Sequence, residues 1–239
     1  MKIKSKLEPI EYYNNISLKY DDTLNSNQVN TKTREEIKQY FLKNVNGKYV
    51  LDFGGGTGKD TEWLINNGFI VYFCEPARRM RQLAIKNYHK SELSGEVIFL
   101  NDKYSDYQNW IRNDLPFKHK VNGILSNFAV LNSIKRIELL SEKIALITHP
   151  GSHMVISVLN FKLKKIFSRN FHVNFRLYLK GNGLATIVKE ADHQMIVYLH
   201  TKAKLIKSFK KYFDFVESLS VNDSTFKLFH FVRNRIDLV

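Results

Sequence analysis

The residues that best indicate a chemical role lie at the end of a short apolar run, where three glycines follow at regular spacing. The run 49–53 contains the carboxylate of Asp52, and Gly54, Gly56 and Gly58 follow at alternate positions. Glycine permits a sharp turn and lets a ligand approach the main chain without a Cβ in the way. The helix expected after the loop would turn its free N–H groups towards the same crevice. In an open α/β sheet this crevice binds a nucleotide-like ligand.

The spacing of the glycines distinguishes two kinds of nucleotide-binding loop. The dinucleotide fingerprint is G-x-G-x-x-G, in which the third glycine packs the helix against the sheet. Here the pattern is D-x-G-x-G-x-G over residues 52–58. This pattern resembles motif I of the class I methyltransferases that use S-adenosylmethionine (SAM).

A second carboxylate supports this interpretation. The β-branched and aromatic run 69–74 predicts a strand that ends at Glu75, 23 positions after Asp52. A ribose-binding acid is expected roughly 20 residues after the first strand. Pro76 and Met80 follow in a stretch that resembles the D-P-S-x-x-M element of the same family. A solvated loop glutamate is the structural alternative for Glu75.

Composition limits the class of protein. The chain has 239 residues, of which 44% are hydrophobic, and this suffices for one domain over 1–239 with a substantial core. No apolar run approaches the roughly 18 residues of a membrane span, and no secretory signal is apparent. Cys74 is the single cysteine, so no internal disulfide is expected. We therefore expect a cytoplasmic protein.

The formal net charge of +14 would attract polyanions. The lysines are scattered along the chain, which favours a generally basic surface over a dedicated nucleic-acid site. A nucleic-acid partner is possible but less favoured than a small molecule, and the oligomeric state is left open.

Alternation of predicted elements indicates the fold class. Strands are predicted at 49–53, 69–74, 96–100, 122–126 and 153–159, and helices at 59–67, 77–90, 105–112 and 133–147. Such alternation predicts an α/β fold with a parallel sheet and helices on both faces. Two closing strands are predicted near 214–221 and 226–233, the second antiparallel.

Two flanking regions depart from this alternation. Residues 8–44 predict two helices, the second starting after Thr31 or Thr33, either of which would cap it. Residues 160–200 form an insertion that contains a predicted hairpin, 185–188 and 195–198. We expect the helical region 8–44 and the insertion to form a lid over the acceptor site.

Most of the chain is similar to the small-molecule branch of the class I SAM-dependent methyltransferases. The run 126–132, S-N-F-A-V-L-N, resembles an S-N-F-G-A-L-N stretch after the fourth strand, and H-P-G at 149–151 resembles the entry to the fifth. The resemblance implies a Rossmann-like, mostly parallel sheet of seven strands. It also implies methyl transfer from SAM to a small-molecule acceptor, with an N or O nucleophile and no metal.

The resemblance further implies a cofactor-binding set. Within it, the glycine loop would face the methionine end of SAM, Glu75 would hold the ribose, and Asp102 or Asn101 would meet the adenine amino group. The whole set comprises Tyr20, Arg34, Asp52, Gly54, Gly55, Gly56, Gly58, Asp60, Glu75, Pro76, Met80, Asn101, Asp102, Lys103, Ser126, Asn127 and Phe128.

Three residues are candidates for the catalytic step: His200, Asn127 and Tyr20. Methyl transfer is an in-line displacement in which positioning supplies much of the rate. A hydroxyl acceptor would need a base, and His200 is the candidate because it lies between the hairpin and the last helix. The structural alternatives are a hydrogen-bonded histidine at a strand end for His200, core packing for Tyr20 and a solvated helix face for Arg34.

Two rival functions stay open. Adenine-N6 nucleic-acid methyltransferases carry [DNS]-P-P-[YFW] after the fourth strand to grip a flipped base, and residues 126–129 contain no proline. A non-catalytic partner subunit with this fold is the second rival, although the intact glycine loop argues against it. Basic residues of the insertion suggest an acceptor with acidic groups: Lys162, Lys164, Lys165, Arg169 and Arg176.

Overall fold

A seven-stranded sheet forms the centre of the computed structural model, which describes residues 7–159, 171–190, 192–221 and 224–236. In chain order the strands are β1 Tyr49–Phe53, β2 Ile70–Cys74, β3 Val97–Phe99, β4 Val121–Ser126, β5 Thr148–Leu159, β6 Ala185–Glu190, β7 His193–Tyr198, β8 Phe213–Ser220 and β9 Phe226–Arg233. The sheet order is β3-β2-β1-β4-β5-β9-β8, and β6 pairs separately with β7. β9 is antiparallel to both of its neighbours, while the pairs from β3 to β5 are parallel. The predicted Rossmann-like fold is confirmed.

Helices cover both faces of this sheet. They are α1 Pro9–Asn25, α2 Gln28–Asn44, α3 Thr61–Asn66, α4 Arg78–Asn87, α5 His89–Leu93, α6 Ile137–Ile147, α7 Phe171–Leu177 and α8 Lys202–Phe209. One apolar core packs α6 and α8 on the sheet, and another packs α2 and α3 on the opposite face. Because side chains of a buried parallel strand alternate between two covered faces, β1 and β2 are apolar throughout, apart from Asp52.

Two predicted boundaries are wrong because a short polar side chain competes for the backbone. α2 begins at Gln28 rather than after Thr31 or Thr33, since the Asn27 side chain accepts a hydrogen bond from the N–H of Val29 at 2.9 Å. The helix predicted at 105–112 is a single 3₁₀ turn, Tyr107–Asn109. Asp106 accepts from the N–H of Gln108 at 2.9 Å there, which favours a turn over a longer helix.

The N-terminal helix lies against the hairpin at the carboxyl end of the sheet. Tyr12 and Ile16 of α1 form a small core with Met195 and Val197 of β7 and with Met80 of α4. The described part of the insertion is α7, the turn after it and the hairpin. Lys162, Lys164, Lys165 and Arg169 lie outside the described residues, and Arg176 is exposed on α7. In the described ranges no helix is long and apolar enough to cross a membrane.

Candidate active site

The glycine loop turns sharply from β1 to α3, and Gly54 anchors it by donating its N–H to the carbonyl of Cys74 at 2.7 Å. A Cβ built on Gly54 would lie 2.4 Å from Val130, and one built on Gly58 would lie 2.6 Å from Tyr88. Gly56 differs, since its Cβ would meet nothing closer than the ring of Tyr20 at 3.7 Å. Gly54 and Gly58 are therefore needed for packing, whereas Gly56 leaves open space beside the main chain.

That open space is a cavity of about 460 Å³ at the carboxyl ends of the parallel strands. This volume falls in the range of small-molecule and cofactor sites. Seven members of the predicted set line it: Tyr20, Gly54, Gly56, Glu75, Pro76, Met80 and Phe128. The structure therefore brings the loop, the second carboxylate and α1 together around one cavity.

Glu75 is buried in the wall of this cavity. One carboxylate oxygen accepts from the N–H of Gly56 at 3.0 Å, and the other accepts from the N–H of Ala77 at 2.7 Å. Burial raises the pKa of Glu75 to about 7, although both backbone bonds favour its charged form. Glu75 thus ties the loop to the start of α4, so the solvated alternative does not apply.

Asp52 lies beneath the loop rather than in the lining of the cavity. Its Oδ2 accepts from the hydroxyl of Thr61 at 2.9 Å. Burial, followed by the nearby charge of Asp60, raises the pKa of Asp52 to about 7. Gly55 faces the same interior, since its Cβ would lie 2.3 Å from the ring of Phe73. Both residues support the loop from behind.

Asp60 binds three side chains from different elements. It accepts from Arg34 at 2.5 Å, from the Trp63 indole at 3.0 Å and from the Asn127 amide at 3.1 Å. The Arg34 guanidinium also lies over the ring of Phe128, 4.5 Å from its centroid. Arg34 is therefore a partly buried residue that joins α2 to the loops after β1 and β4, not a solvated helix residue.

The loop after β4 is strained. Phe128 and Ala129 have φ angles of 53° and 64°, in the left-handed region that non-glycine residues seldom adopt. The N–H of Phe128 donates to the Asn127 side chain at 2.9 Å and to the Ser157 hydroxyl at 2.8 Å. Such strain persists where surrounding contacts enforce it, often at functional sites. Ser126 lies deeper, where its hydroxyl donates to the Phe53 carbonyl at 3.1 Å.

The residues predicted to meet the adenine do not line the cavity. Asp102 is largely exposed and pairs with Arg81, which also donates to the carbonyl of Glu75 at 2.5 Å. Asn101 accepts from the N–H of Tyr104 at 3.1 Å, and Lys103 pairs with Asp114 at 2.5 Å. The lining at this end is instead the run Ser105, Asp106, Tyr107 and Gln108.

His200 is also outside the described lining of the cavity. Its Nε2 lies 3.0 Å from the carbonyl oxygens of both Leu131 and Ile134, so it must carry a proton and donate. Burial lowers the pKa of His200. The predicted role as catalytic base is not supported by this geometry, because Nε2 holds the turn after β4 in place.

Several lining residues were missed by sequence reasoning. They come from the start of α1 and from the turn before α6: Glu8, Pro9, Ile10, Tyr13, Ser133, Ile134, Lys135, Arg136 and Leu139. These residues reach the cavity because their segments fold over the strand ends. No short sequence motif predicts that packing. Of these residues, Tyr13 could have been predicted, since it lies seven residues, about two helical turns, before Tyr20 on the same face of α1.

Comparison with known proteins identifies the family of this chain. Residues 26–211 match the family model described as Methyltransferase domain, and the chain belongs to this family. An uncharacterized methyltransferase from Geobacillus kaustophilus is 29% identical over 136 residues, which are 53% of this chain and 57% of that protein. The chain thus spans little more than half of that curated relative.

Two solved structures show the same fold. The N-methyltransferase NodS from Bradyrhizobium japonicum, in complex with S-adenosyl-L-homocysteine (SAH), has a TM-score of 0.64 and 11% identity, and the match covers 95% of this chain and 99% of NodS. Magnesium protoporphyrin IX methyltransferase from Synechocystis, also with bound SAH, has a TM-score of 0.60 and 15% identity over 94% of this chain and 97% of that one. The family model confirms the prediction of a methyltransferase domain, and the two structures share its Rossmann-like fold.

Proposed function

We propose that this protein transfers a methyl group from SAM to a small-molecule acceptor. The observation that carries the proposal is the open face of Gly56, which turns its main chain towards the 460 Å³ cavity while Glu75 holds its N–H. A ligand at this place contacts both the bare backbone and a buried carboxylate. This combination suits a cation with hydroxyl groups, such as the sulfonium and ribose of SAM.

SAM supplies a methyl group on a positively charged sulfur, which makes it an activated donor. The protein binds and orients the two reactants and excludes water from the site. In this proposal Gly54 and Gly56 hold the amino-acid end, Glu75 the ribose, and Asp106 with Tyr107 the adenine. Tyr20 and Phe128 supply aromatic faces, which attract a cation.

A small acceptor is supported by the neighbours and by the loop after β4. One neighbour is by name a magnesium protoporphyrin IX methyltransferase, whose acceptor is a small molecule. The strained turn at Phe128 and Ala129 holds an aromatic ring without the prolines of a base-flipping motif. We further infer that the described elements form one domain, since α1 and the hairpin pack on α4 beside the sheet.

The test is a pair of glycine variants that both place an alanine at a positive φ angle. Gly56 and Gly68 both have positive φ angles, 59° and 82°, and at neither would a Cβ clash with the protein. Gly56→Ala and Gly68→Ala therefore carry similar strain. We expect calorimetry to show SAM binding weakened at least about tenfold by Gly56→Ala and unchanged by Gly68→Ala.

Product formation completes the test. Wild-type protein should release SAH from SAM when a suitable acceptor is present. Equal SAM affinity in wild type and Gly56→Ala, with both proteins folded, would contradict the proposed cofactor site.

A further inference from the structure

Large apolar side chains are exposed on α7 and on the turn that follows it. Phe175, Tyr178, Leu179 and Leu184 are 51%, 58%, 68% and 42% exposed. Two exposed cations alternate with them along the chain. These six residues together form what we call the α7 surface: Phe175, Arg176, Tyr178, Leu179, Lys180 and Leu184.

The α7 surface is anchored to the rest of the domain. Asn174 and Leu177, three positions apart on α7, are both buried, so the other side of the helix faces outwards. The side-chain amide of Asn182 donates to the carbonyl of Leu177 at 3.3 Å. The N–H of Leu199, just after β7, donates to the carbonyl of Leu184 at 2.7 Å. The exposed apolar side chains therefore belong to a packed part of the fold.

The segment that carries the α7 surface is uniformly basic. The sequence has no Asp or Glu between Glu142 and Glu190. Residues 160–170, which lie outside the described ranges, contain four lysine or arginine residues and no acid, so they add only positive charge. Glu190 stands at the far end of β6, roughly 17 Å from the start of that strand at about 3.3 Å per residue.

Exposed aromatic and aliphatic side chains beside cations are typical of a surface that lies on a membrane. Tyrosine rings favour the interface between headgroups and acyl chains, where the hydroxyl stays in water. Arginine and lysine bury their apolar stems and keep their charges at the headgroups. Arg176 and Lys180 would therefore meet anionic headgroups, while Leu179, the most exposed apolar residue of the surface, would enter the apolar layer.

Other partners fit the α7 surface less well. RNA would use the cations and the aromatic rings, but it offers no apolar region in which to bury Leu179 and Leu184. A second copy related by a twofold axis would bring Arg176 and Lys180 against the same two residues, and such like-charge contacts are unfavourable. Lysine is also depleted where two proteins meet.

We propose that the α7 surface docks this protein on a lipid bilayer that contains anionic headgroups. Tyr178 and Leu179 enter the interface, and Arg176 and Lys180 pair with the headgroups. This docking is independent of the methyl transfer proposed above.

The α7 surface also lies close to the larger cavity. Leu184 is hydrogen bonded to Leu199, and the next residue, His200, contacts the carbonyl of Ile134 at 3.0 Å. Ile134 lines that cavity. Docking would therefore bring this wall of the cavity towards the membrane.

Flotation of the whole chain with lipid vesicles measures the docking directly. We expect vesicles of phosphatidylcholine and phosphatidylglycerol in equal parts to bind the wild type at least about tenfold more tightly than phosphatidylcholine alone. Binding should weaken as salt is added, because salt screens the headgroup charge. Equal binding to the two kinds of vesicle, or binding to neither, would overturn the proposal.

Two double variants separate the apolar and the electrostatic contributions. Tyr178→Ser/Leu179→Ser removes apolar contacts, and Arg176→Gln/Lys180→Gln removes two charges. Each should weaken binding to the anionic vesicles at least about fivefold. All four side chains are exposed, and circular dichroism checks that both variants are folded.

Two control variants make the same changes elsewhere on the molecule. Leu93→Ser/Ile111→Ser alters residues that are 76% and 53% exposed, before and after β3. Lys86→Gln/Lys90→Gln removes two exposed charges from α4 and α5. Both controls should bind anionic vesicles within about twofold of the wild type. Equal weakening in the surface variants and in their controls would overturn the proposal, because the overall charge and apolar content of the protein would then explain the binding.

The same variants distinguish the other occupants. Vesicle binding that survives Tyr178→Ser/Leu179→Ser, with RNA binding lost in Arg176→Gln/Lys180→Gln, would make the α7 surface a nucleic-acid site. A dimer that Tyr178→Ser/Leu179→Ser converts to a monomer in sedimentation would make it an interface between copies. Either result would overturn docking on a membrane.

Discussion

Glu75 combines a structural contact with a predicted binding role. Its two carboxylate oxygens accept from Gly56 and Ala77, yet its side chain still lines the larger cavity. Its pKa near 7 means that the unliganded protein carries this group partly protonated at neutral pH. A folded-state pKa above the unfolded value stabilises the protein at low pH, and this stabilisation is lost as the pH rises through 7.

SAM affinity should therefore depend on pH. A cationic ligand binds better to an ionised carboxylate, so we expect affinity to increase between about pH 6 and pH 8. Glu75→Gln should weaken binding by about 1–3 kcal/mol at the higher pH and make the pH profile shallower. Asp52, whose pKa is also about 7, would supply the remaining dependence. Calorimetric titrations across this range check the expectation, and a flat wild-type profile would contradict it.

At the scale of elements, His200 connects the hairpin to the turn after β4. Its Nε2 donates to the carbonyls of Leu131 and Ile134, and Thr201 then caps α8 through the N–H of Lys204 at 3.1 Å. A side chain that holds two carbonyl groups contributes to stability rather than to proton transfer.

His200→Ala should therefore lower the free energy of unfolding by about 1–3 kcal/mol, because buried carbonyls lose their donor. At a temperature where the variant is folded, turnover should change little. Urea denaturation and initial rates measure the two quantities. Normal stability with lost turnover would instead restore His200 as the catalytic base.

A chain of hydrogen bonds outside the described lining of the cavity joins β5, β9, α2 and β8. His153 Nδ1 lies 2.9 Å from His230 Nε2, and His230 Nδ1 lies 2.9 Å from the Tyr40 hydroxyl, which donates to Glu217 at 2.6 Å. Since Tyr40 donates onwards, His230 must donate to it and accept from His153. Burial and the neighbouring His153 lower the pKa of His230 to about 4.

Because this folded-state pKa lies below the unfolded value of about 6.5, the neutral His230 stabilises the protein above that value. The contribution is lost as the pH falls towards 4. His230→Phe should cost about 1–3 kcal/mol near pH 7, since His153 loses its partner. The difference between variant and wild type should shrink near pH 5. Urea denaturation at both pH values tests this, and a constant difference would show that His230 does not titrate with unfolding.

At the scale of the whole molecule, the net charge of +14 makes nonspecific attraction of polyanions unavoidable. We expect RNA to bind weakly and to dissociate steeply as salt rises from about 50 to 200 mM. No methyl group should be transferred to it. Filter binding across the salt range, with radiolabelled SAM in parallel, tests both points, and label in the RNA would favour the nucleic-acid alternative.

The local sequence pattern was sufficient to predict the strands and helices and the glycine loop. The order of strand, carboxylate, spaced glycines and helix is specified by neighbouring residues, so β1, β2 and the loop at Gly54 to Gly58 agree with expectation to within a residue or two. Polar side chains that compete locally with the backbone, such as Asn27 and Asp106, caused the boundary errors.

The sequence by itself determined the fold class, the family and the glycine loop, because these depend on periodicity and on residues close together in the chain. The tertiary structure decided which side chains share a cavity. It placed the Nε2 of His200 beside two backbone carbonyls, and it lined the larger cavity with Asp106 and Tyr107 rather than with Asp102. Those outcomes depend on how α1, the hairpin and the loop after β4 pack together, and contacts between distant segments leave no spacing in the chain from which to read them.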